Sequence, residues 1–391
     1  MIVDLHAHFP MHLVPPVTLD GLFSVSGRRR WRDHLRAALI DFIGVFANYE
    51  RRDGSAGVTV PLLQQGGVRV VLSPLYSAFD EIEELPLAGE RPKDSYFTSI
   101  VDQLTDVENE LAKFPGRALV AHDLLELDAA LATPGDQVCF IHCIEGGHAL
   151  GGDRHKVNER VADLAGRGVA YVTVAHLLWR GVATNAPAIP SLKDACYCWM
   201  FPQPENVGLS ALGKAAVEAM IEHHVTVDVT HMSAASLADT FEILDGADRA
   251  REVPVIASHA GARLGSLRYN LDDPTLDRII ERNDAIGMMA CAHFMSDPEP
   301  PPTTKQGAVD VICRHIDHIG ERSALLRGEQ ARFDHVAIGS DLDGFAKPSL
   351  HGLVDASALG YLEKQLIRRY GVHASKICSD NVLRVLRTNW R

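Results

Sequence analysis

The sequence predicts a (β/α)8 barrel with long loops after some of its strands, and three observations support this fold class. Short apolar runs rich in β-branched residues recur along the 391 residues, each followed by a polar loop and a stretch of helical periodicity. Hydrophobicity within the runs is continuous rather than alternating, as in parallel strands covered on both faces. Eight such strand–helix units favour a barrel. A doubly wound open sheet is the main alternative, but it would more often bring a glycine-rich phosphate loop after the first strand, and none is present.

The predicted elements follow one another along a single domain that spans residues 1–391. The eight expected strands are Ile2–His6, Val68–Leu75, Gln137–Ile144, Ala170–Ala175, Thr226–Thr230, Pro254–Ser258, Ala285–Ala292 and His335–Gly339. Helices are predicted over Ser99–Lys113, Ser210–His223, Asp273–Arg282, Gly307–Ile319 and Ala374–Arg387, the second opening with a serine suited to an N-cap. Loop insertions are expected at residues 10–33, 46–56 and 179–208. The last follows the fourth strand and, in a barrel, would lie on the catalytic face as a lid or a substrate wall.

Composition and charge argue against several classes of function. The chain is 46% hydrophobic and 23% charged, and its net charge of −13 disfavours nucleic acid and anionic membrane surfaces as partners. No apolar run reaches the roughly 18 residues of a membrane span. Seven scattered cysteines are typical of reduced thiols, and no signal peptide precedes the first strand. We expect a cytoplasmic protein that acts on a small molecule, and we leave open whether it forms a homodimer.

The first strand ends in a pair of histidines, His6 and His8. Because residues i and i+2 of a strand share one face, the two imidazoles are expected to project together. Adjacent imidazoles are suited to binding one divalent metal ion. The alternative is a surface histidine pair near a chain terminus.

Other predicted strands also end in residues that can bind metals or transfer protons. These residues are Glu145 after the third strand, His176 after the fourth, His231 after the fifth, His259 after the sixth and Asp341 after the eighth. Barrel enzymes place their catalytic groups at the carboxyl ends of their strands. Since the chain has only 19 histidines among 391 residues, this concentration at strand ends favours a functional site over accident.

The residue types fit a site for two divalent metal ions, with zinc as the leading candidate. Two cations that share one water need a bridging anion, which Glu145 can supply with its two oxygens. His6 and His8 are then predicted to hold one ion, and His231 and His259 the other. A hydroxide between the ions would be the nucleophile, Asp341 would take its proton and pass it to a leaving amine, and His176 would stabilise the attacked oxygen. Such ligands also accept manganese or cobalt.

Several of these residues have simpler interpretations. His176 could be a hydrogen-bonded core histidine, and Asp343 could serve only to shape the turn before Gly344. Three further histidines near strand ends are expected to be packing residues or to support the ligands: His142, His148 and His293.

Several motifs, in this order, resemble the membrane (renal) dipeptidase family of zinc peptidases, within the amidohydrolase superfamily. The motifs are Val-Asp-Leu-His-Ala-His, Ile-Glu-Gly-Gly, Tyr-Val-Thr-Val-Ala-His, Val-Asp-Val-Thr-His-Met-Ser, Pro-Val-Ile-Ala-Ser-His-Ala, Ile-Gly-Ser-Asp-Leu-Asp-Gly and Asn-Val-Leu-Arg-Val-Leu. The resemblance runs from residue 3 to about residue 387 and is weakest across residues 10–60 and 180–205. It implies a (β/α)8 barrel with two zinc ions that cleaves dipeptides, often with a D-residue at the C-terminal position.

The resemblance also implies a role for each matching residue. His6, the residue at position 8 and Glu145 would bind one zinc ion, and Glu145, His231 and His259 would bind the other. His176 would contact the substrate near the scissile carbonyl, and Asp341 would handle protons.

The sequence departs from the family pattern at two places. The first motif is usually His-x-Asp, whereas position 8 here is histidine, which removes one negative charge from the first metal site. The second place follows His259, where the family has Arg-Asn-x-x-Asp and its arginine binds the substrate carboxylate. Aligning Asn270 and Asp273 with this motif places Tyr269 at the position of the arginine, and a tyrosine cannot form a charge-assisted bidentate pair with a carboxylate. Arg268 or Arg263 could substitute for it.

The leading hypothesis is therefore a binuclear zinc hydrolase of the dipeptidase type. The first alternative keeps the same residues but changes the substrate to an N-acyl amino acid, a lactone or another ester or amide, as the Tyr269 departure suggests. The second alternative is a family member that binds metal without catalysis, which the complete ligand set disfavours.

Overall fold

The computed structural model describes residues 1–12, 56–76, 81, 92–190, 192–248, 251–344 and 348–391. Of the three predicted insertions, 10–33 and 46–56 lie almost wholly outside these residues, whereas 179–208 is described except at position 191.

The described residues form a parallel sheet of nine strands, eight of which close into a barrel. The strands are β1 (Ile2–Asp4), β2 (Val68–Leu75), β3 (Ala118–Val120), β4 (Val138–Glu145), β5 (Tyr171–Thr173), β6 (Thr226–Asp228), β7 (Val255–Ala260), β8 (Ile286–Met288) and β9 (Val336–Ile338). Their order is β2-β1-β9-β8-β7-β6-β5-β4-β3, and a further pairing of β2 with β4 closes the barrel. That pairing runs from Val70 opposite Cys139 to Leu75 opposite Ile144. The predicted (β/α)8 fold is confirmed.

Helices lie between the strands. They are α1 (Val60–Gln65), α2 (Asp94–Leu111), α3 (Leu124–Ala132), α4 (Arg154–Gly166), α5 (Asp194–Met200), α6 (Ala211–Glu222), α7 (Ala234–Ala247), α8 (Asp273–Glu281), α9 (Ala292–Ser296), α10 (Lys305–Arg327), α11 (Leu359–Tyr370) and α12 (Asn381–Asn389). The predicted N-cap of α6 is confirmed, because the Ser210 hydroxyl accepts hydrogen bonds from the amides of Leu212 and Gly213. A π-helical turn, Lys376–Asp380, precedes α12 within the predicted terminal helix. None of the helices in the described part of the chain is long and apolar enough to cross a membrane.

All eight predicted strands are present, but two details of the prediction were wrong. The strand expected over Ala285–Ala292 ends at Met288, and Ala292 begins helix α9. Apolar residues continue past the end of this strand because the chain that follows it is also buried. The hydrophobic pattern alone does not show where such a strand ends, so the predicted strand was too long. The three-residue strand β3 was not predicted. It pairs with the first half of β4, outside the closed ring of eight.

Side chains alternate along β4, and this alternation positions the functional groups. Cys139, Ile141 and Cys143 belong to a buried cluster with residues of β1 and β2 such as Val3 and Leu72. The intervening residues, among them Phe140, belong to a larger cluster that includes the apolar face of α2. Because successive strand residues point to opposite faces, Glu145 shares the inward register of Cys143, and His142 shares the outward register of Phe140.

Candidate metal centre and active site

The structure brings seven predicted site residues together at the carboxyl ends of the barrel strands. Glu145 is the last residue of β4, and His259 lies near the end of β7. The others lie two to four residues beyond the ends of their strands: His6 and His8 after β1, His176 after β5, His231 after β6 and Asp341 after β9. All seven are buried. The seven residues are spread over 336 positions of the sequence, from 6 to 341, and the parallel barrel brings them together at one end.

Glu145 lies at the centre of this cluster. Its Oε1 is 3.5 Å from Nε2 of His6 and 3.4 Å from Nε2 of each of three further histidines, which are His176, His231 and His259. Its Oε2 is 3.4 Å from Nε2 of His8. The two carboxylate oxygens thus face different imidazoles, as expected of a residue that bridges two metal ions.

The spacing of the donor atoms is that of metal ligands. The Nε2 atoms of His6 and His8 are 3.0 Å apart, as are those of His231 and His259. Ligand atoms bound at about 2.0–2.1 Å around a tetrahedral zinc ion lie roughly 3.3 Å from one another. Three overlapping sets of donor atoms lie within 4.8 Å of one another: His6, His8 and Glu145; Glu145, His176 and His231; and His6, His259 and Asp341. The donor set fits divalent cations, and the distances allow more than one division of the ligands between two ions.

Hydrogen bonds behind the cluster orient two of the imidazoles for metal binding. The Tyr171 hydroxyl donates to the carbonyl oxygen of Leu5 and lies 2.8 Å from Nδ1 of His6, so it can accept the Nδ1 proton. The Ser258 hydroxyl donates to Asp228 and lies 2.9 Å from Nδ1 of His259. A proton on Nδ1 leaves the Nε2 lone pair facing the centre, which is the form that binds a metal. Among the described residues, Nδ1 of His8 and of His231 has no hydrogen-bond partner.

Burial favours the neutral form of three of the histidines. Desolvation lowers the pKa of His231 and holds the pKa values of His6 and His259 well below the usual range. Burial alone would raise the pKa of Glu145, but the surrounding imidazoles, His176 foremost, hold it well below its usual value. Neutral imidazoles around an ionised carboxylate are the protonation states that metal ligands require.

His176 differs from the other histidines because it is bound by a second carboxylate. Its Nδ1 lies 2.6 Å from Oε2 of Glu81, and its Nε2 faces Glu145. Although burial opposes the charged form, Glu145 and Glu81 together raise the pKa of His176 to about 10. Glu81 is fully buried and also accepts hydrogen bonds from the Tyr76 hydroxyl and the Leu178 amide. The two carboxylates thus fix the His176 ring with its Nε2 facing the cluster, and they favour its protonated form.

Sequence reasoning missed Glu81. It lies outside every predicted strand end and is separated from His176 by 95 positions, so no local motif connects the two. Its full burial distinguishes Glu81 in the structure, but burial is not visible in one sequence.

Asp341 is held in a conformation that few residues adopt. Its φ is 53°, and that of His231 is 67°, both in the left-handed region. Backbone strain of this kind clusters at functional sites. The Asp341 Oδ1 is 3.2 Å from Nε2 of His8. A Cβ atom at Gly344 would lie only 1.9 Å from that oxygen, so only glycine allows the turn to approach Asp341 this closely.

Asp343 shapes the loop beside the site. Its Oδ2 accepts hydrogen bonds from the backbone amides of Gly57 and Val58, both at 2.7 Å. Asp343 therefore joins the turn before Gly344 to residues 57 and 58, which is more than the shaping of that turn alone.

The four predicted substrate-binding residues after His259 occupy different environments. The Tyr269 ring is buried 5.1 Å from the His231 ring, and its hydroxyl donates to the carbonyl oxygen of His259. Asn270 donates from its side chain to the carbonyl oxygen of Phe294. The half-exposed Arg268 binds Asp194 of α5. This ion pair connects the segment between β7 and α8 to the 179–208 loop.

The fourth residue, Arg263, is engaged by its own loop. Its guanidinium donates to the carbonyl oxygens of Asn270 and Arg268 and lies 3.4 Å from Asp272. Of the four residues, Tyr269 is the one whose ring contacts the histidine cluster, and it carries no positive charge.

Comparison with known proteins identifies the family. A family model described as membrane dipeptidase (peptidase family M19) matches residues 2–390. The dipeptidase tcpJ of Claviceps purpurea (strain 20.1) is 31% identical over 225 residues, which are 56% of this chain and 44% of that protein. The dipeptidase verJ of Clonostachys rogersoniana is 30% identical over 187 residues, 47% of this chain and 42% of that protein. The chain thus aligns with less than half the length of these two curated relatives.

Solved structures share the fold. The crystal structure of a dipeptidase AC, a metallopeptidase of family M19, has a TM-score of 0.69 at 19% identity and covers 100% of this chain and 98% of its own. A metallopeptidase from Rhodobacter sphaeroides, liganded with a phosphinate mimic of the dipeptide L-Ala-D-Ala, has a TM-score of 0.65 at 18% identity, covering 100% and 99%. Because the family model spans nearly the whole sequence and the barrel carries the expected cluster, the chain belongs to the membrane dipeptidase family, peptidase family M19.

Proposed function

We propose that this protein is a binuclear zinc-dependent hydrolase that cleaves the amide bond of dipeptides, including dipeptides with a C-terminal D-residue. The observation that carries the proposal is the position of Glu145, whose two oxygens lie within 3.4–3.5 Å of five imidazole nitrogens. Family membership supports metal-dependent hydrolysis. The dipeptide mimic bound to the Rhodobacter sphaeroides relative supports the substrate class.

The residues of the cluster divide into metal-binding and substrate-directed groups. His6 and His8 would hold one ion, His231 and His259 the other, and Glu145 would bridge the two. Zinc ions held by these residues would supply Lewis acidity toward the scissile carbonyl and would lower the pKa of bound water. The histidine at position 8, in place of the family aspartate, leaves the first site with one negative charge fewer.

Two residues act directly on the substrate. Asp341 lies beside His8 and the centre, where its carboxylate accepts a proton from the attacking water and delivers it to the leaving amine. His176 directs its Nε2–H into the cluster, where it donates a hydrogen bond to the oxygen that becomes negative during attack. Glu81 fixes the orientation of this imidazolium.

The environment of Tyr269 favours a second candidate substrate class. Dipeptide recognition in the family pattern uses an arginine for the C-terminal carboxylate, and the neighbouring Arg268 and Arg263 are already paired with Asp194 and Asp272. A substrate without a free carboxylate, such as a lactone or a blocked N-acyl derivative, needs no cation at this position. The two candidate functions use the same catalytic residues and differ only in the class of substrate that is cleaved.

A substrate panel tests the proposal. The zinc-loaded protein is assayed against L,L-dipeptides, L,D-dipeptides, N-acyl amino acids and lactones, with His231→Ala as the inactive control. We expect zinc-dependent hydrolysis of the dipeptides at the highest kcat/KM. Cleavage of acyl amino acids or lactones alone would overturn dipeptide specificity and establish the second candidate. No hydrolysis, with fewer than two ions retained, would overturn the enzymatic proposal.

The cytoplasmic location also remains a proposal. All seven cysteines are free, and five of them are buried. This usage supports a reducing compartment.

Glu81 provides a prediction about catalysis that is separable from metal binding. The substitution Glu81→Gln removes the anionic partner of His176 while keeping its size, so we expect kcat to fall roughly 10–100-fold with the bound zinc unchanged. Steady-state kinetics and metal analysis measure the two effects. The exposed Glu159→Gln is the matched control. Wild-type kcat in the Glu81→Gln variant would contradict the assigned role of Glu81.

The close approach of Gly344 to Asp341 provides another prediction. In Gly344→Ala the new methyl group would displace the Asp341 carboxylate, and a shift of about 1 Å at a catalytic group costs on the order of 10²-fold in rate. The control is Gly166→Ala on α4, where an added Cβ meets nothing within 4 Å. Equal kcat/KM values for the two variants would show that catalysis does not depend on the present position of the Asp341 carboxylate.

A further inference from the structure

A second group of metal-binding side chains lies on the opposite face of β4 from Glu145. Nε2 of His122 is 3.0 Å from Oε1 of Glu108, and Nε2 of His142 is 3.3 Å from the same oxygen. Glu108 belongs to α2, His142 to β4, and His122 to the turn between β3 and α3. Because His142 has the outward register of its strand, this group lies between the barrel and its helices and not in the candidate metal centre.

We infer that Glu108, His122 and His142 form a third metal-binding site, with zinc as the ion that suits it best. The potential ligand atoms of the three residues lie within 4.8 Å of one another. The two nitrogen–oxygen separations match the roughly 3.3 Å expected between neighbouring ligands of a tetrahedral zinc ion. Two histidines and one carboxylate leave the fourth position to water, and Glu108 and His122 are 38% and 41% exposed, which gives water and the ion a path of entry.

The surroundings of the two imidazoles support a ligand site. Nδ1 of His122 lies 3.1 Å from Oε2 of Glu126, which also accepts a hydrogen bond from the His122 backbone amide. A carboxylate behind the imidazole keeps the proton on Nδ1 and directs Nε2 toward the metal. The His142 ring is fully buried, and its Nδ1 has no hydrogen-bond partner in the described part of the chain. The polar contact of the His142 ring is therefore made by Nε2, which faces Glu108.

An ion at this site would join three separate segments of the chain. The segments are α2, the turn after β3 and the strand β4, and this strand ends in the bridging residue Glu145. Since such a site forms only in the folded chain, zinc binding there contributes to the stability of the fold and not to the chemical step.

Zinc-binding stoichiometry tests this inference. The full-length protein is stripped with chelator and titrated with zinc alone, followed by isothermal calorimetry and by metal analysis after equilibrium dialysis. We expect three equivalents for the wild type and two for His122→Ala and for Glu108→Gln, with hydrolytic activity unchanged. The control is His155→Ala, an exposed histidine on α4, which should retain all three. Circular dichroism verifies that each variant is folded.

The variant Glu145→Gln separates the third site from the catalytic centre. If the third site exists, this variant should still bind one equivalent, and the double variant Glu145→Gln/His122→Ala should bind none. Equal zinc stoichiometry in the wild type and in His122→Ala overturns the inference. The same result would leave the proposed hydrolase function untouched, because that function rests on the other face of β4.

Discussion

Replacing Glu145 with glutamine should lower turnover by at least about 10³-fold, because water that is not held by metal ions has a pKa near 15.7 instead of about 7. The carboxylate touches five imidazoles, and no other acidic side chain among the described residues has this position. Glutamine keeps the size of the side chain but removes the charge that two cations share. Both catalytic zinc ions should therefore bind much more weakly.

Initial-rate assays and metal analysis on the same preparation measure these two effects. The exposed Glu159→Gln, on α4, makes the same chemical change away from the site and should behave like the wild type. Glu145→Gln protein that retained two tightly bound ions and full activity would show that Glu145 does not bridge the metals.

The second large effect is expected for Asp341→Asn. Asparagine can neither accept the proton of the attacking water nor return it to the leaving amine, so kcat should fall about 10²–10⁴-fold. The main zinc ligands remain, so bound zinc should stay close to the wild-type amount. This combination distinguishes Asp341 from Glu145, whose replacement should affect both quantities.

Kinetics and metal analysis again provide the readout, with the exposed Asp106→Asn as the matched control. A loss of metal equal to that of Glu145→Gln would instead assign Asp341 to the metal ligands, as its proximity to His6 and His259 allows. Unchanged kcat would remove it from the mechanism.

The sequence predicted the barrel and the main cluster for the same physical reason. Parallel strands buried on both faces are continuous apolar runs, and their carboxyl ends meet at one edge. A histidine or carboxylate directly after such a run is therefore placed in space by its position in the sequence. The residues that could be found in this way include His6, Glu145 and His231.

Other parts of the site could not be predicted because they depend on contacts between distant segments. Glu81 contacts His176 across 95 positions of the sequence, and Tyr171 orients His6 across 165 positions. No spacing rule connects these pairs. The early end of β8 has a related cause, since burial continues past Met288 after the strand has ended.

The proposed third metal site could not be predicted from the sequence for the same reason. The prediction placed His142 near a strand end and treated it as a packing residue or a support for the ligands. Its partners Glu108 and His122 come from a helix and a turn, and only the packing of α2 on β4 brings them together. His142 and Glu145 are only three positions apart in β4, but their side chains point to opposite faces of the strand. The third site and the candidate metal centre are therefore separate.

A crystal structure of the zinc-loaded protein, with anomalous scattering recorded at the zinc edge, tests the central claim most directly. We predict two peaks roughly 3.5–4 Å apart at the carboxyl end of the barrel. The Glu145 carboxylate should lie between them, with His6 and His8 on one ion and His231 and His259 on the other. A single peak at this position, or two peaks that Glu145 does not bridge, would contradict the binuclear centre.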